Sequence, residues 1–289
     1  MPDIRPFRAL RFDATTVGDL SAVVAPSYTL IDAAEHERLL ARHPSNVVRV
    51  DLPDERHGDE QDVRYRRAAR ALAEWRSGAV LHKDPHPSIY VYAQDGPGGS
   101  GAGSAADGPL LRGYFARLRL ETLTPDAGLR TSDEPEPAAA TDAAGDPEDR
   151  YKVLRATGVN TSPIVGRYDD PTGATAGRLA ALAVGNPEID LVDESGVRHR
   201  IWAIAADGGG DLAASVAALI APAAAGPVVV ERGRVIYDTA LRYRDERRMS
   251  RSCEEDPAFD YVLTLFVERG AAAPGVTALT GLLINPHEW

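Results

Sequence analysis

Two runs of this chain, Ser88–Gln94 (SIYVYAQ) and Leu111–Glu121 (LRGYFARLRLE), alternate as strands do. The stretch between them, 96–109, is rich in Gly, Ser and Ala and has the composition of a flexible connection. Strand, flexible tip, strand describes a long antiparallel hairpin, so part of any sheet here has to be antiparallel. The glycines superficially resemble a phosphate loop. However, no Gly-Lys-Ser/Thr is present, and the segment joins strand to strand rather than strand to helix.

The remaining elements follow from local pattern. Residues 4–12 and 19–25 read as two short strands around a turn. Asp32 and Glu35 have capping-box spacing ahead of Leu39 and Leu40, which predicts a helix over 33–43 ending before Pro44. The β-branched run Asn46–Leu52 (NVVRVDL) reads as a buried strand. Tyr65, Ala68, Leu72 and Trp75 share one helical face over 60–77, and Gly78 stands where a C-cap glycine belongs. Downstream, Arg150–Thr157 looks like a helix start and Ser162–Tyr168 a strand, with a helix at 174–184. A hairpin over 188–193 and 197–205 turns at Ser195-Gly196. Helix 211–221, strand 227–231, helix 237–248, strand 259–268 and a last apolar strand near 276–284 complete the chain. Interleaved strands and helices with several hairpins predict an α+β fold, with mixed or mostly antiparallel sheets and packed helices, rather than a doubly wound sheet. The acidic, Pro/Ala-rich stretch 124–149 has no periodicity and reads as a flexible loop or an active-site flap. It would separate an N-terminal α/β lobe, 1–123, from a C-terminal α/β lobe, 150–289.

Charge and composition narrow the function. With 43 acidic and 32 basic residues the net charge is −11, a field that repels nucleic acid, whose binding rests on Lys and Arg neutralising phosphates. No run approaches 18 uninterrupted apolar residues, and the charged N-terminus lacks the apolar core of a signal peptide. Cys253 is the single cysteine, which rules out an internal disulfide or a thiolate zinc cage and fits a cytoplasmic protein. His82 and His86 are four apart but flank Pro85, and no histidine pair shows metal-ligand spacing. Nothing in the sequence indicates the oligomeric state.

Several runs in order, IRPFRALRFD at 4–13, VGDLSAVVAPSY at 17–28, HPSNVVRVDLP at 43–53, EDRYKVLRAT at 148–157, SPIVGRYDD at 162–170 and YDTALRYRDE at 237–246, resemble the bacterial family known as domain of unknown function 1015. The likeness covers nearly the whole chain. Two motifs of that family point to chemistry: an Asp-Gly-His-His-Arg run before a Tyr-Glu-Thr-Ala-Leu helix, and a Pro-His-Glu run before a Glu-Asp-Arg helix. The first is similar to the glycine–histidine–arginine motif of the ParB and sulfiredoxin superfamily, which includes kinases that phosphorylate free serine. In this chain Arg232-Gly233-Arg234-Val235-Ile236 stands in place of the first motif and Thr131-Ser132-Asp133 in place of the second, so only Gly233 is kept. The degenerate motif, at 231–246, and the family's usual continuation beyond the last strand imply a shortened, repurposed member.

The resemblance implies a ParB/sulfiredoxin-like core and an enzyme of small-molecule metabolism or biosynthesis. Its substrate would be a small anionic molecule, an amino acid or a phosphorylated compound, and the reaction kinase-like phosphoryl transfer with Mg²⁺ and a phosphate donor as cofactors. The alternative is a non-catalytic ligand-binding or regulatory pseudoenzyme that kept the pocket. Arg232, Gly233 and Arg234 would bind an anion if the turn opens a helix; they would be a solvated hairpin turn if it joins two strands. Ser132, Asp133 and Asp149 are the candidate proton-handling groups, and Ser132 a candidate nucleophile. Asp149 and Arg150 equally suit a helix start with a surface ion pair. His199 lies in a patterned strand between Arg198 and Arg200, as a general base or as a satisfied structural residue. Tyr28, Asn46, Arg49, Arg150 and Arg155 belong to retained runs and are expected to line the shared pocket.

Overall fold

The computed structural model describes residues 1–60, 62–96, 111–123, 128–132, 146–250, 255–271 and 279–287. Among these, nine strands join in one mixed sheet, and the fold is α+β as the patterning predicts. The strands are β1 (Ile4–Arg5), β4 (Ser88–Asp95), β5 (Leu111–Arg119), β6 (Leu129–Thr131), β8 (Ile164–Tyr168), β9 (Ile189–Val192), β10 (Arg198–Ala205), β11 (Val228–Arg232) and β12 (Tyr261–Glu268). Their order is β6-β11-β8-β12-β5-β4-β10-β9, with β1 added against β5. The β11–β6 and β12–β8 pairs are parallel; the others are antiparallel, including the expected β4–β5 and β9–β10 hairpins. In this sheet β5 and β4 lie side by side between β12 and β10, which come from beyond residue 149, and β6 comes from within segment 124–149.

Alternation along the strands sends side chains to two cores. On one face Ile89, Val91, Tyr114, Ile164, Trp202, Val228 and Phe266 pack under helices α5 (Pro147–Thr157), α6 (Thr175–Leu182), α7 (Gly210–Ala225) and α8 (Arg234–Ser250). On the other, Tyr90, Tyr92, Phe115, Ile201 and Leu265 are covered by Phe7, Val24, Leu282 and Leu283. A third core gathers α1 (Ala14–Val17), α2 (Ala33–Arg42), α3 (Val48–Asp51), α4 (Val63–Ser77) and the β2 (Leu10–Phe12)–β3 (Leu81–Lys83) pair. Tyr65, Ala68, Leu72 and Trp75 are the buried face of α4, as their spacing predicts. Asp32 caps α2, accepting from Glu35 N at 2.8 Å.

Four expectations fail for physical reasons. The 46–52 run is not a strand: Asn46 Oδ1 accepts from Val48 N at 3.0 Å, and Asp51 N and Leu52 N bond to the Val47 and Val48 carbonyls. Val47, Val48 and Val50 are wholly buried, so packing on all sides outweighs the β-branched preference. Residues 20–22 form a 3₁₀ turn capped by Asp19 rather than a strand. The 4–12 strand is broken into β1 and β2, with Pro6 between them. Of the expected strand near 276–284, residues 276–278 lie outside the described residues; in the rest Thr280 and Ile284 make single bridges to Ala25 and Leu10, and Asn285–Pro286 (β13) pairs with Val159–Asn160 (β7).

His287, next after β13, is buried and stacked on Tyr243 with centroids 5.5 Å apart, its Nε2 2.8 Å from Asn160 Oδ1. Burial, with the charges of Arg247 and Arg117, pushes its pKa down to about 3. A folded pKa below the unfolded value of 6.5 means the unfolded chain takes the proton first. Stability is therefore complete above the unfolded value and falls as pH drops toward the folded one, by up to about 1.4 kcal/mol per pH unit. Thermal melts between pH 7 and pH 4 are expected to fall less steeply for His287→Gln than for the parent chain; equal slopes would exclude His287 as the titrating group.

Candidate functional site

The parallel β6–β11 pair ends at one edge of the sheet, with Ser132 N donating to Val230 O at 3.0 Å. Ser132 thus stands beside the end of β11. β11 runs through Arg232 to Gly233, and α8 begins at Arg234, with Tyr237 N donating to Gly233 O at 2.9 Å. Of the two readings of this turn, strand-to-helix is the observed one. Gly233 has φ +86°, and a Cβ there would lie 2.8 Å from Ile164 Cγ2 and 3.1 Å from Ile164 Cα. Only glycine lets β8 approach this closely. Arg234 is exposed and donates from Nε to Asp238 Oδ2 at 2.7 Å. Arg232 is half-buried; its Nε is sealed from solvent and has no hydrogen-bond partner among the described residues. Glu231 accepts from Arg167 Nε at 2.8 Å, which neutralises the nearest carboxylate of the strand.

Beneath α8 and behind β8 lies a buried polar network. Arg150, on the first turn of α5, donates to Asp51 O at 2.5 Å and to Asp51 Oδ1 at 2.8 Å. Thr161 Oγ1 and Ser162 Oγ donate to the same oxygen, and Ser162 Oγ lies 2.8 Å from Thr280 Oγ1. The Tyr28 ring lies 4.5 Å from the Arg150 guanidinium. Burial lowers the Arg150 pKa, but the Asp51 carboxylate more than offsets this and the net shift is upward. Asp51 Oδ2 is buried and has no hydrogen-bond partner among the described residues. A cavity of about 20 Å³, lined by Arg150, Thr161, Ser162, Ile236 and Thr239, joins this network to the first turn of α8. That is room for one water and no more.

The other sequence candidates divide. Asp149 is buried and accepts from Tyr65 OH at 2.6 Å, and Arg64 Nη2 lies 2.7 Å from it. Burial, and then the bond to Asp149, pushes the Tyr65 phenol up to about 12. Asn46 donates to the Ala22 and Val24 carbonyls, and Arg49 to the Leu40 carbonyl, so both brace α3. Arg155 is exposed and pairs with Glu246 at 3.0 Å. His199 is far from the turn, buried in β10 between Tyr92 OH at 2.6 Å and Asp193 Oδ2 at 3.1 Å. Burial lowers its pKa in spite of Asp193. Asp133 lies outside the described residues.

The structure therefore gathers Ser132 with Arg232, Gly233 and Arg234 at the sheet edge, and Tyr28 with Arg150 in the network behind it. Sequence reasoning missed Asp51, Thr161, Ser162 and Thr280. Asp51 and Arg150 stand 99 residues apart, and no spacing rule pairs them. Among the described residues no group of three or more His, Cys, Asp and Glu is placed to hold a metal, and no helix is long and apolar enough to cross a membrane.

Fold and site together define an α+β chain whose parallel strand pair ends beside an arginine-flanked helix start. The model of one family, described as a protein of unknown function (DUF1015), matches residues 4–276, and the chain belongs to that family. No curated protein and no solved structure matches it.

Proposed function

We propose that this chain binds a small phosphorylated or carboxylated metabolite at the Arg232–Gly233–Arg234 turn. The observation that carries this reading is the buried, unpartnered Arg232 Nε beside the start of a 17-residue helix. An unmet buried donor costs about 1–3 kcal/mol, more for a charged group, and an anion meeting the half-buried guanidinium would satisfy it once the side chain turns outward. The first N–H groups of α8 and its macrodipole favour the same charge, and ligands of α/β sheets commonly sit outside the carboxyl ends of parallel strands.

The reaction this geometry suits best is phosphoryl transfer to a hydroxyl, which needs positioning and charge neutralisation more than covalent chemistry. The family's motif at this turn is similar in sequence to that of the ParB and sulfiredoxin superfamily, with its free serine kinases; this chain keeps only Gly233 of it, so the likeness is an analogy of sequence and not of site. Arg232 and Arg234 would hold the anion, and Ser132 would take part in proton handling. Among the described residues no group of three or more His, Cys, Asp and Glu is placed to hold a metal, and no step is assigned to the ion. A second reading, a ligand-binding pseudoenzyme, is favoured by Asp149 and Asp51, whose bonds to Tyr65, Arg64 and Arg150 leave neither as an available base.

Thermal shift with pyrophosphate, ADP, ATP, serine and phosphoserine, each with and without Mg²⁺, tests the site. A ligand at a hundredfold its dissociation constant adds about 2.7 kcal/mol, a rise of at least roughly 2 °C in a chain of this size. The rise is expected with a phosphate compound and is expected to vanish in Arg232→Ala/Arg234→Ala. No rise with any anion in a folded sample would end the reading. Binding without turnover of phosphate donor and serine would select the pseudoenzyme.

A further inference from the structure

The 32 Lys and Arg residues of this chain include only two lysines, Lys83 and Lys152. The distinction is chemical. A guanidinium keeps its proton throughout the physiological range, whereas an ammonium gives its proton up once burial or neighbouring cations oppose the charge. The deprotonated amine is a nucleophile.

The two lysines are placed differently. Lys152 lies on α5, 3.1 Å from Asp62 Oδ1 and 5.7 Å from the centre of the Tyr65 ring, so an acid and a ring face answer its charge. Lys83 ends β3. The β2–β3 register sets Leu81 opposite Phe12 and Lys83 opposite Leu10. Leu10, Phe12 and Leu81 belong to the third core, so Lys83 leaves its strand on the face that packs with Leu72 and Trp75 of α4. Arg11 and His82 take the other face. There Asp84, next to Lys83 in sequence, accepts from Arg11 Nη2 and from Tyr90 OH, each at 2.6 Å. Two exposed arginines belong to the same corner: Arg8, whose Nε donates to Asp84 O at 2.7 Å, and Arg76, which follows Trp75. Burial, then the positive charges of Arg8 and Arg76, lower the pKa of the half-buried Lys83 ammonium.

We propose that the Lys83 amine is a covalent attachment site for a small aldehyde or ketone that carries an acid group, of the 2-oxo-acid type. The nitrogen lone pair attacks the carbonyl carbon. The two amine hydrogens and the carbonyl oxygen then leave as water, and a C=N bond remains. Arg8 and Arg76 act twice, disfavouring the ammonium and attracting the acid group of the incoming molecule. The inference is independent of the anion site at Gly233.

Reductive trapping of the full chain with glyoxylate and cyanoborohydride at neutral pH, read by peptide mass spectrometry, tests it. Lys152 in the same molecule is the reference. Lys83 is expected to be alkylated at least several-fold faster than Lys152. The margin is expected to narrow with acetaldehyde, which has no acid group; a lysine that is merely accessible would keep the same margin with both. Arg8→Gln/Arg76→Gln alters two exposed side chains and is expected to bring the two rates together. Lys83→Arg is expected to remove the product and keep the parent melt. Equal rates at the two lysines, or a Lys83 rate that the double arginine variant leaves unaltered, would overturn the proposal.

Discussion

Arg150→Met is expected to lower the stability of this chain by about 3–5 kcal/mol, a drop in melting temperature of roughly 6–20 °C. Arg150 and Asp51 are 7% and 1% exposed. Removing the guanidinium leaves a carboxylate in the interior with, among the described residues, Thr161 and Ser162 alone donating to its side chain. The loss reflects the stranded charge more than any net gain from the pair, because both charges were desolvated on folding. Asp51→Asn/Arg150→Met is accordingly expected to recover at least half of it, as the two changes act on one contact and do not add. Urea and thermal unfolding of both variants measure this. A single variant within about 1 kcal/mol of the parent would mean that solvent reaches Asp51.

Gly233→Ala is expected to cost about 2–4 kcal/mol, combining a left-handed backbone with a side chain driven into Ile164. Because one of the crowded atoms is Ile164 Cα, at 3.1 Å from the added carbon, no rotamer change relieves the contact. β11 and β8 must separate at the turn, and the response to anions is expected to be lost with the stability. Gly281→Ala supplies the comparison. It has a similar φ of +83° and would meet Val47 Cβ at 2.9 Å, but it bridges the third core and not the turn. It is expected to lose stability and keep the anion response. A Gly233→Ala chain that still responds fully would remove the turn from the binding site.

The two variants bear on how far the site could be read without a structure. Gly233 was legible as a residue retained where flanking motif positions had changed, and Arg232 and Arg234 as donors suited to an anion. Whether those three residues join two strands or open a helix was not legible, since a left-handed glycine serves either turn. The closeness of Ile164 and the start of α8 at Arg234 decide it. Tyr28 and Arg150 were both singled out, and the structure stacks one on the other. Their shared partner Asp51 carried no local signal, because its role depends on a contact across 99 residues of sequence.

The same division holds for the fold. Periodicity by itself determined α4, the β4 and β5 strands and the β9–β10 hairpin, since each is encoded by side chains within one or two turns of each other. The α+β class followed from their interleaving. Local preference misled at 46–52, where three valines favour a strand in isolation. There the Asn46 side chain accepting from Val48 N, with Val47, Val48 and Val50 wholly buried, made a short helix the lower-energy choice. Strand order, the parallel β6–β11 pair and the placing of Arg8 and Arg76 about Lys83 were set only by tertiary structure. They depend on which surfaces exclude water from one another, a property of distant segments that no single run of sequence contains.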